Sequence, residues 1–160
     1  MKDIILGIVM VFVFAIGFFS FHFMFNQSMD KMINTTVVNS SQAAVDSFNE
    51  GKTLSNRMDY VVFIVFLAVI FGIIITGWFI GGHPILMFVY FIIVVIATIL
   101  ASIFNYVWEQ VSQASIFGTS VSFFPITNHL LTNLEIYTPI IAFLGVIAMF
   151  AKPMLTGENQ

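Results

Sequence analysis

Few side chains in this sequence can do acid–base or metal chemistry, and cysteine is absent. His129, Glu109 and Glu135 fall near one expected boundary between apolar and polar sequence, so an imidazole and two carboxylates could meet there. Such a trio suits a divalent cation or a general acid and base. The sequence lacks the paired His-x-x-x-His or Glu-x-x-His spacings that present metal ligands on one helix face. We therefore predict no catalytic residue, no metal site and no bound cofactor.

The other two histidines have simpler interpretations. His22 lies near the end of an apolar stretch beside Ser20, where an imidazole can reach headgroups or water, and a proton or metal role is the alternative. His83 follows two glycines and precedes Pro84, which is typical of an exposed turn. No phosphate-cradling loop or nucleophile motif accompanies these residues, so an enzyme is not expected.

The composition indicates that all of these residues belong to a membrane protein. Of the 160 residues, 59% are hydrophobic and 8% are charged, whereas roughly 25% of residues are charged in soluble domains. Five Lys and Arg residues and a net charge of -3 make no basic footprint for nucleic acid. The lipid bilayer is therefore the first expected partner, and nucleic acid is not a partner.

Four apolar stretches predict four transmembrane helices, at about residues 4–25, 60–80, 85–108 and 133–151. No charged residue occurs from Tyr60 to Trp108, and the turn at 81–84 divides this stretch into two arms. Each arm has about 20 or more residues, enough to cross a hydrocarbon core of about 30 Å. We predict an all-α integral membrane protein with a single membrane domain. Its four transmembrane helices include a central helical hairpin, and a short amphipathic helix lies outside the membrane.

Small side chains recur at steps of three or four residues in three of the predicted spans. In lipid, small residues let two helix backbones approach closely. We expect the small-residue faces of the two hairpin arms to pack on each other. The predicted helix-packing residues are Ala68, Gly72 and Thr76, then Ala97, Ala101 and Asn105, and finally Ala142, Gly145 and Ala148.

Two segments outside the spans, 26–59 and 110–132, retain many apolar residues. The apolar spacing in the first predicts an amphipathic helix that Gly51 ends as a left-handed cap. This helix rests either on the protein's own membrane face or on a partner, and the second segment lies at the membrane surface or against another subunit. The predicted partner-docking residues are Ile33, Val37, Val45, Phe48, Phe117, Phe123 and Phe124.

In size and architecture, the whole chain resembles the small multi-span membrane proteins encoded by bacteriophages. These include virion proteins of the internal membrane of tailless, lipid-containing phages, and the chain is similar as well to accessory subunits of large membrane complexes. The resemblance carries no specific residues. It implies a non-enzymatic structural or assembly protein in a virion internal membrane or a cell inner membrane. Other membrane or capsid subunits would be its partners in a homo- or hetero-oligomer.

An oligomeric pore or holin-like membrane permeabiliser is the alternative function. The small-residue faces would then join copies of the chain rather than helices of one chain. The sequence departs from the holin pattern because the segment from Lys152 to Gln160 is not the strongly basic tail that such lysis proteins usually carry.

Overall fold

The computed structural model describes residues 2–80, 84–115, 117 and 120–156. These residues form α-helices and one short 3-10 helix, and no β-strand occurs among them. The predicted turn residue His83 lies outside the described residues. The α-helices are α1 (Lys2–Ile33), α2 (Thr36–Asn39), α3 (Gln42–Asn56), α4 (Met58–Ile80), α5 (Pro84–Gln113), α6 (Pro125–Thr132) and α7 (Leu134–Thr156), and the 3-10 helix is Val121–Phe123.

Four segments are long and apolar enough to cross a membrane: Ile4–Ile33, Gln42–Ile80, Ile85–Gln113 and Leu134–Ala151. The second of these joins α3 to α4. Large apolar side chains cover the outer surface of the bundle, as lipid contact requires. The all-α membrane fold predicted from the sequence is confirmed.

The four long helices form a ring in the order α1, α4, α7, α5. Each helix packs on its two neighbours, and α4 and α5 hardly touch within the described residues although they follow each other in the chain. The core fills the centre of the ring with side chains such as Val11, Phe66 and Ile141. A void of about 20 Å³ remains between α1, α4 and α7.

The expectation that the two hairpin arms pack on each other through their small residues is wrong. Ala68 and Gly72 are exposed on the outside of α4, and a Cβ built on Gly72 meets no atom within 4 Å. The close approach instead occurs between α4 and α7, where a Cβ on Gly77 would lie 2.5 Å from the Gly145 carbonyl oxygen. Gly145, from the predicted face of α7, therefore packs against a glycine that the pattern does not select.

Helix α1 continues past residue 25, the expected end of the first span. Its 32 residues correspond to a length of about 48 Å, about 18 Å more than a hydrocarbon core. No glycine or proline interrupts the helix where the sequence becomes polar, so the backbone hydrogen bonds continue into the polar segment.

Helix α3 runs back along the end of α1, and the two form a hairpin with α2 at its tip. The predicted helix end at Gly51 is wrong, because α3 extends from Gln42 to Asn56. Gly51 lies inside this helix, and a Cβ at this position would make an ordinary van der Waals contact with the Phe25 ring at 3.5 Å. Lys52 and Asp30 join the two helices by an ion pair of 2.6 Å.

Candidate functional site

Several polar side chains of the bundle collect where the ends of α4, α5 and α7 meet α6, beside the middle of α1, and we call this region the α6 end. His22 is fully buried there. Its Nδ1 lies 3.0 Å from the Ser55 hydroxyl, and its Nε2 lies 2.9 Å from the Asn26 amide nitrogen. The Phe123 and Phe124 rings pack against the imidazole. His22 therefore ties α1 to α3 and to the segment before α6.

Asp59 is the second polar centre of the α6 end and is 3% exposed. The backbone N–H of Ile126 donates to Asp59 Oδ2 at 2.9 Å. The backbone N–H and the hydroxyl of Thr127 both donate to Oδ1 at 2.7 Å. Phe124, the residue before α6, makes no side-chain capping hydrogen bond. The Asp59 carboxylate instead accepts hydrogen bonds from free backbone N–H groups at the start of α6.

Aromatic side chains fill the space between these two polar centres. Phe19 is fully buried and packs against Trp108, Phe117 and Phe124 at ring-centre distances of 5.3, 5.3 and 5.7 Å. The indole N–H of Trp108 donates to Asn128 Oδ1 at 3.0 Å. The α6 end is thus closed by a packed layer of rings that covers the core below it.

The residues considered for metal or acid–base chemistry do not converge. The hydroxyl of Tyr137 lies 2.8 Å from His129 Nε2, and Glu135 accepts a hydrogen bond of 2.9 Å from the Ser102 hydroxyl. Among the residues that the structure describes, no three His, Asp or Glu side chains lie close enough to hold a metal ion. His22 approaches Ser55 closely, and both side chains are buried.

The predicted helix-packing residues divide between the interior and the outer surface. Ala97, Ala101, Asn105, Ala142, Gly145 and Ala148 are buried. On α4, Thr76 is half-buried, whereas Ala68 and Gly72 are exposed. The faces of α5 and α7 are used within the chain, and that of α4 stays largely open.

The predicted docking residues differ in exposure: some are exposed, some are half-buried and one is buried. Val37 is 82% exposed at the tip of the α1–α3 hairpin, and Phe123 is 46% exposed. Ile33, Val45, Phe48 and Phe117 are half-buried. The prediction for Phe124 is wrong, because this ring is fully buried between Phe19 and His22 and presents no surface to a partner.

Sequence reasoning does not single out Asn26 and Thr127, which belong to the two polar centres. One signal was available: Asn26 follows His22 by four residues and therefore lies on the same helix face. The contact between Asp59 and Thr127 joins positions 68 residues apart, and no local pattern reports such a pairing. The side-chain oxygens of Asn26, Asn56 and Asn105 are buried without a protein hydrogen-bond partner in the described part of the chain.

The geometry defines the class of the molecule, an all-α membrane protein with a polar, ring-packed cap at one end of its bundle. The chain matches no known protein family, no curated protein and no solved structure. No residue role is therefore carried over from a relative.

Proposed function

We propose that this protein is a non-enzymatic structural or assembly component of a membrane complex, such as a virion internal membrane. The hairpin of α1 and α3 serves as the arm that contacts neighbouring membrane or capsid subunits. The observation that carries this proposal is the unbroken α1, which extends about 18 Å beyond a hydrocarbon core.

The packing of the hairpin supports a contact role. The ion pair between Lys52 and Asp30 and the buried contact between His22 and Ser55 hold α3 against α1. The tip presents Val37, an exposed apolar side chain outside the apolar spans. An apolar residue on a preformed element can bind a partner at little cost in conformational entropy.

Copurification from the native source tests this function. The protein is sedimented before and after treatment with mild detergent. We expect it to co-sediment with a fixed set of other proteins in both cases. Val37→Asp should remove at least one of them and leave the protein in the membrane fraction. Asp46→Asn, an exposed position on the same hairpin, is the matched control and should retain all of them. Recovery of the native protein alone would contradict the proposal.

The open face of α4 favours the second candidate, an oligomeric pore or holin-like permeabiliser. Ala68 and Gly72 leave room there for a helix of another chain. A pore would form between chains, since the centre of the bundle holds only a small void with a largely apolar lining. If the chain forms a pore, its strong expression in bacteria should collapse the membrane potential. Gly72→Leu should prevent this collapse, whereas Gly17→Leu, at another open position, should not. An unchanged potential with the native chain counts against the pore.

A further inference from the structure

Glu135 is an exposed carboxylate in the first turn of α7, on the outer surface of the bundle. Its Oε2 accepts a hydrogen bond of 2.9 Å from the Ser102 hydroxyl of α5. Within the described part of the chain this hydroxyl is its only side-chain partner, and no cation pairs with it. The dipole of α7 favours a negative charge at this position, yet most of the capacity of the carboxylate to accept hydrogen bonds stays unused.

The depth of Glu135 follows from the two helices that flank α7. On α5, its partner Ser102 lies seven residues inside the only charged residue of that helix, a rise of about 10 Å. On α4, the Phe66 ring packs against Tyr137, two residues beyond Glu135. Phe66 lies seven residues inside Asp59, the only charged residue of α4. Both comparisons place Glu135 about 7–10 Å inside the apolar spans, so this carboxylate faces hydrocarbon.

A second hydrogen-bond acceptor lies on the same helix face. Pro139 follows Glu135 by four residues within α7 and has no backbone N–H, so the Glu135 carbonyl loses its helical donor. Pro139 is exposed, as Glu135 is, and the two residues therefore share the outer face of α7. A carboxylate and a main-chain oxygen at one place suit a group with several N–H donors.

Large apolar side chains surround these acceptors. Ile99 and Tyr106 lie one turn on either side of Ser102 on α5, and both are exposed. On α7, Phe143 lies one turn beyond Pro139 and is exposed as well. Because α5 and α7 pack along each other, these five residues and the carboxylate line one outer surface, which we call the α5–α7 seam. Its apolar length suits a helix better than a small soluble cation.

A cation for the seam must come from another molecule. The basic side chains that the structure describes are Lys31, Lys52 and Arg57, which belong to α1, α3 and the junction before α4. In the ring of helices, the α5–α7 seam lies opposite the contact of α1 with α4. Lys52 is also engaged already, by its ion pair with Asp30.

We propose that the α5–α7 seam docks a transmembrane helix of a partner protein that carries a Lys or Arg side chain at the depth of Glu135. The N–H donors of that side chain meet the carboxylate and the Glu135 carbonyl, and the apolar residues of the partner pack on Ile99, Tyr106 and Phe143. A carboxylate and a cation are each costly in hydrocarbon when alone, so their pairing supplies the specificity. This docking is independent of the contact that we propose for the hairpin tip.

A synthetic helix of known sequence tests the docking. The full chain carries a fluorescent donor at Ile85→Cys and is reconstituted in phosphatidylcholine vesicles. The probe is a leucine-rich helix of about 20 residues, long enough to span, with an acceptor dye and one lysine about 10 Å from one end. Matched helices have leucine or glutamate at the lysine position. We expect energy transfer to show about tenfold tighter association of the lysine helix than of the leucine helix, as an interhelical polar contact implies.

The carboxylate variants assign this association to the seam. Glu135→Gln keeps a hydrogen-bond acceptor for Ser102 but removes the charge, and it should reduce binding of the lysine helix to the level of the leucine helix. Glu109→Gln, the matched control further out on α5, should bind as the native chain does. If the lysine helix binds no better than the leucine or glutamate helix, or if Glu135→Gln binds as well as the native chain, the proposal is wrong.

A change of lipid separates a partner helix from a lipid headgroup as the source of the cation. Phosphatidylethanolamine has an ammonium group with N–H donors, whereas the quaternary ammonium of phosphatidylcholine has none. We expect the lysine helix to stay bound when phosphatidylethanolamine makes up half of the lipid. Its displacement by this lipid would show that a headgroup amine occupies Glu135 and would overturn the proposal.

Discussion

At the scale of single residues, Asp59 anchors α6 to the start of α4, across 67 and 68 positions of the chain. Its carboxylate accepts three hydrogen bonds from the first turn of α6. Asp59→Ala leaves two backbone N–H groups and one hydroxyl without this acceptor. We expect a loss of about 3 kcal/mol in the free energy of unfolding, since hydrogen bonds to a charged group are among the stronger ones.

Thermal or denaturant unfolding in detergent micelles measures this loss, and amide exchange at Ile126 and Thr127 locates it. Asp46→Ala is the control, because Asp46 is exposed and accepts one hydrogen bond from Gln42. It should change stability by less than about 0.5 kcal/mol. Equal effects of the two substitutions would show that the Asp59 contacts do not hold α6.

The contact between His22 and Ser55 is a second prediction at this scale. A double-mutant cycle of His22→Ala and Ser55→Ala should give a coupling energy of about 1 kcal/mol, as expected for one buried hydrogen bond. A control cycle pairs Ser55→Ala with Thr98→Ala, whose hydroxyl bonds its own helix at Val94. That cycle should give additive effects, and additivity in the first cycle would contradict the contact.

At the scale of helices, two glycines of α4 have opposite surroundings. Gly77→Ala would place a methyl group against the Gly145 carbonyl, so α4 and α7 must separate. We expect a loss of roughly 1–3 kcal/mol from this overpacking. Gly72→Ala, the matched control on the same helix, should be neutral or stabilise by up to about 1 kcal/mol, because its site is open and alanine favours helix.

Unfolding of the two variants under identical micelle conditions provides the comparison. Since the chemical change is the same and both glycines lie in the same helix, only the neighbouring atoms differ. If Gly77→Ala is as stable as Gly72→Ala, the close packing of α4 on α7 is not present.

The helices also show what the sequence could and could not predict. Length and hydropathy identify the spans, because a membrane requires long apolar helices whatever their neighbours are. The choice of neighbours depends on which face each helix turns inward. The face with Ala68 and Gly72 has the same spacing as a packing face but lies outside, and Gly77 lies inside. Gly51 likewise has the form of a helix end in the sequence, yet it lies inside α3.

In the candidate site, too, the sequence indicates single residues but not the partners that they contact. His22 is conspicuous in the sequence because it is a titratable group in an apolar stretch. Its partner Ser55 comes from a helix that folds back over 33 residues. Phe124 is buried because three chain segments meet at the α6 end. The sequence next to Phe124 is aromatic and apolar, and this local pattern predicts a docking surface, because it does not show the distant segments.

At the scale of the whole molecule, the helix directions predict a topology that labelling can measure. The hairpin tip and the α6 end lie on one side of the bundle, and the start of α5 lies on the other. Because the sequence has no cysteine, single replacements provide clean reporters. Val37→Cys and Ile85→Cys, at positions 82% and 79% exposed, should react with a membrane-impermeant reagent from opposite sides.

Sealed vesicles of known orientation provide the measurement, and Phe123→Cys is the internal control. It should label from the same side as Val37→Cys, since both belong to the α6 side of the bundle. Labelling of Val37→Cys and Ile85→Cys from the same side would contradict the four-span arrangement.

The position of α7 between α4 and α5 has a consequence for how the protein is made. The ribosome delivers α4 and α5 in succession, yet these two helices have almost no contact with each other within the described residues. Before α7 is synthesised, only α1 and the short helix α6 bridge them among the described helices. Helix α7, which is synthesised after the other three long helices, is therefore the one that completes the ring. A nascent chain stalled before it would expose open flanks on both earlier helices to membrane quality-control proteases.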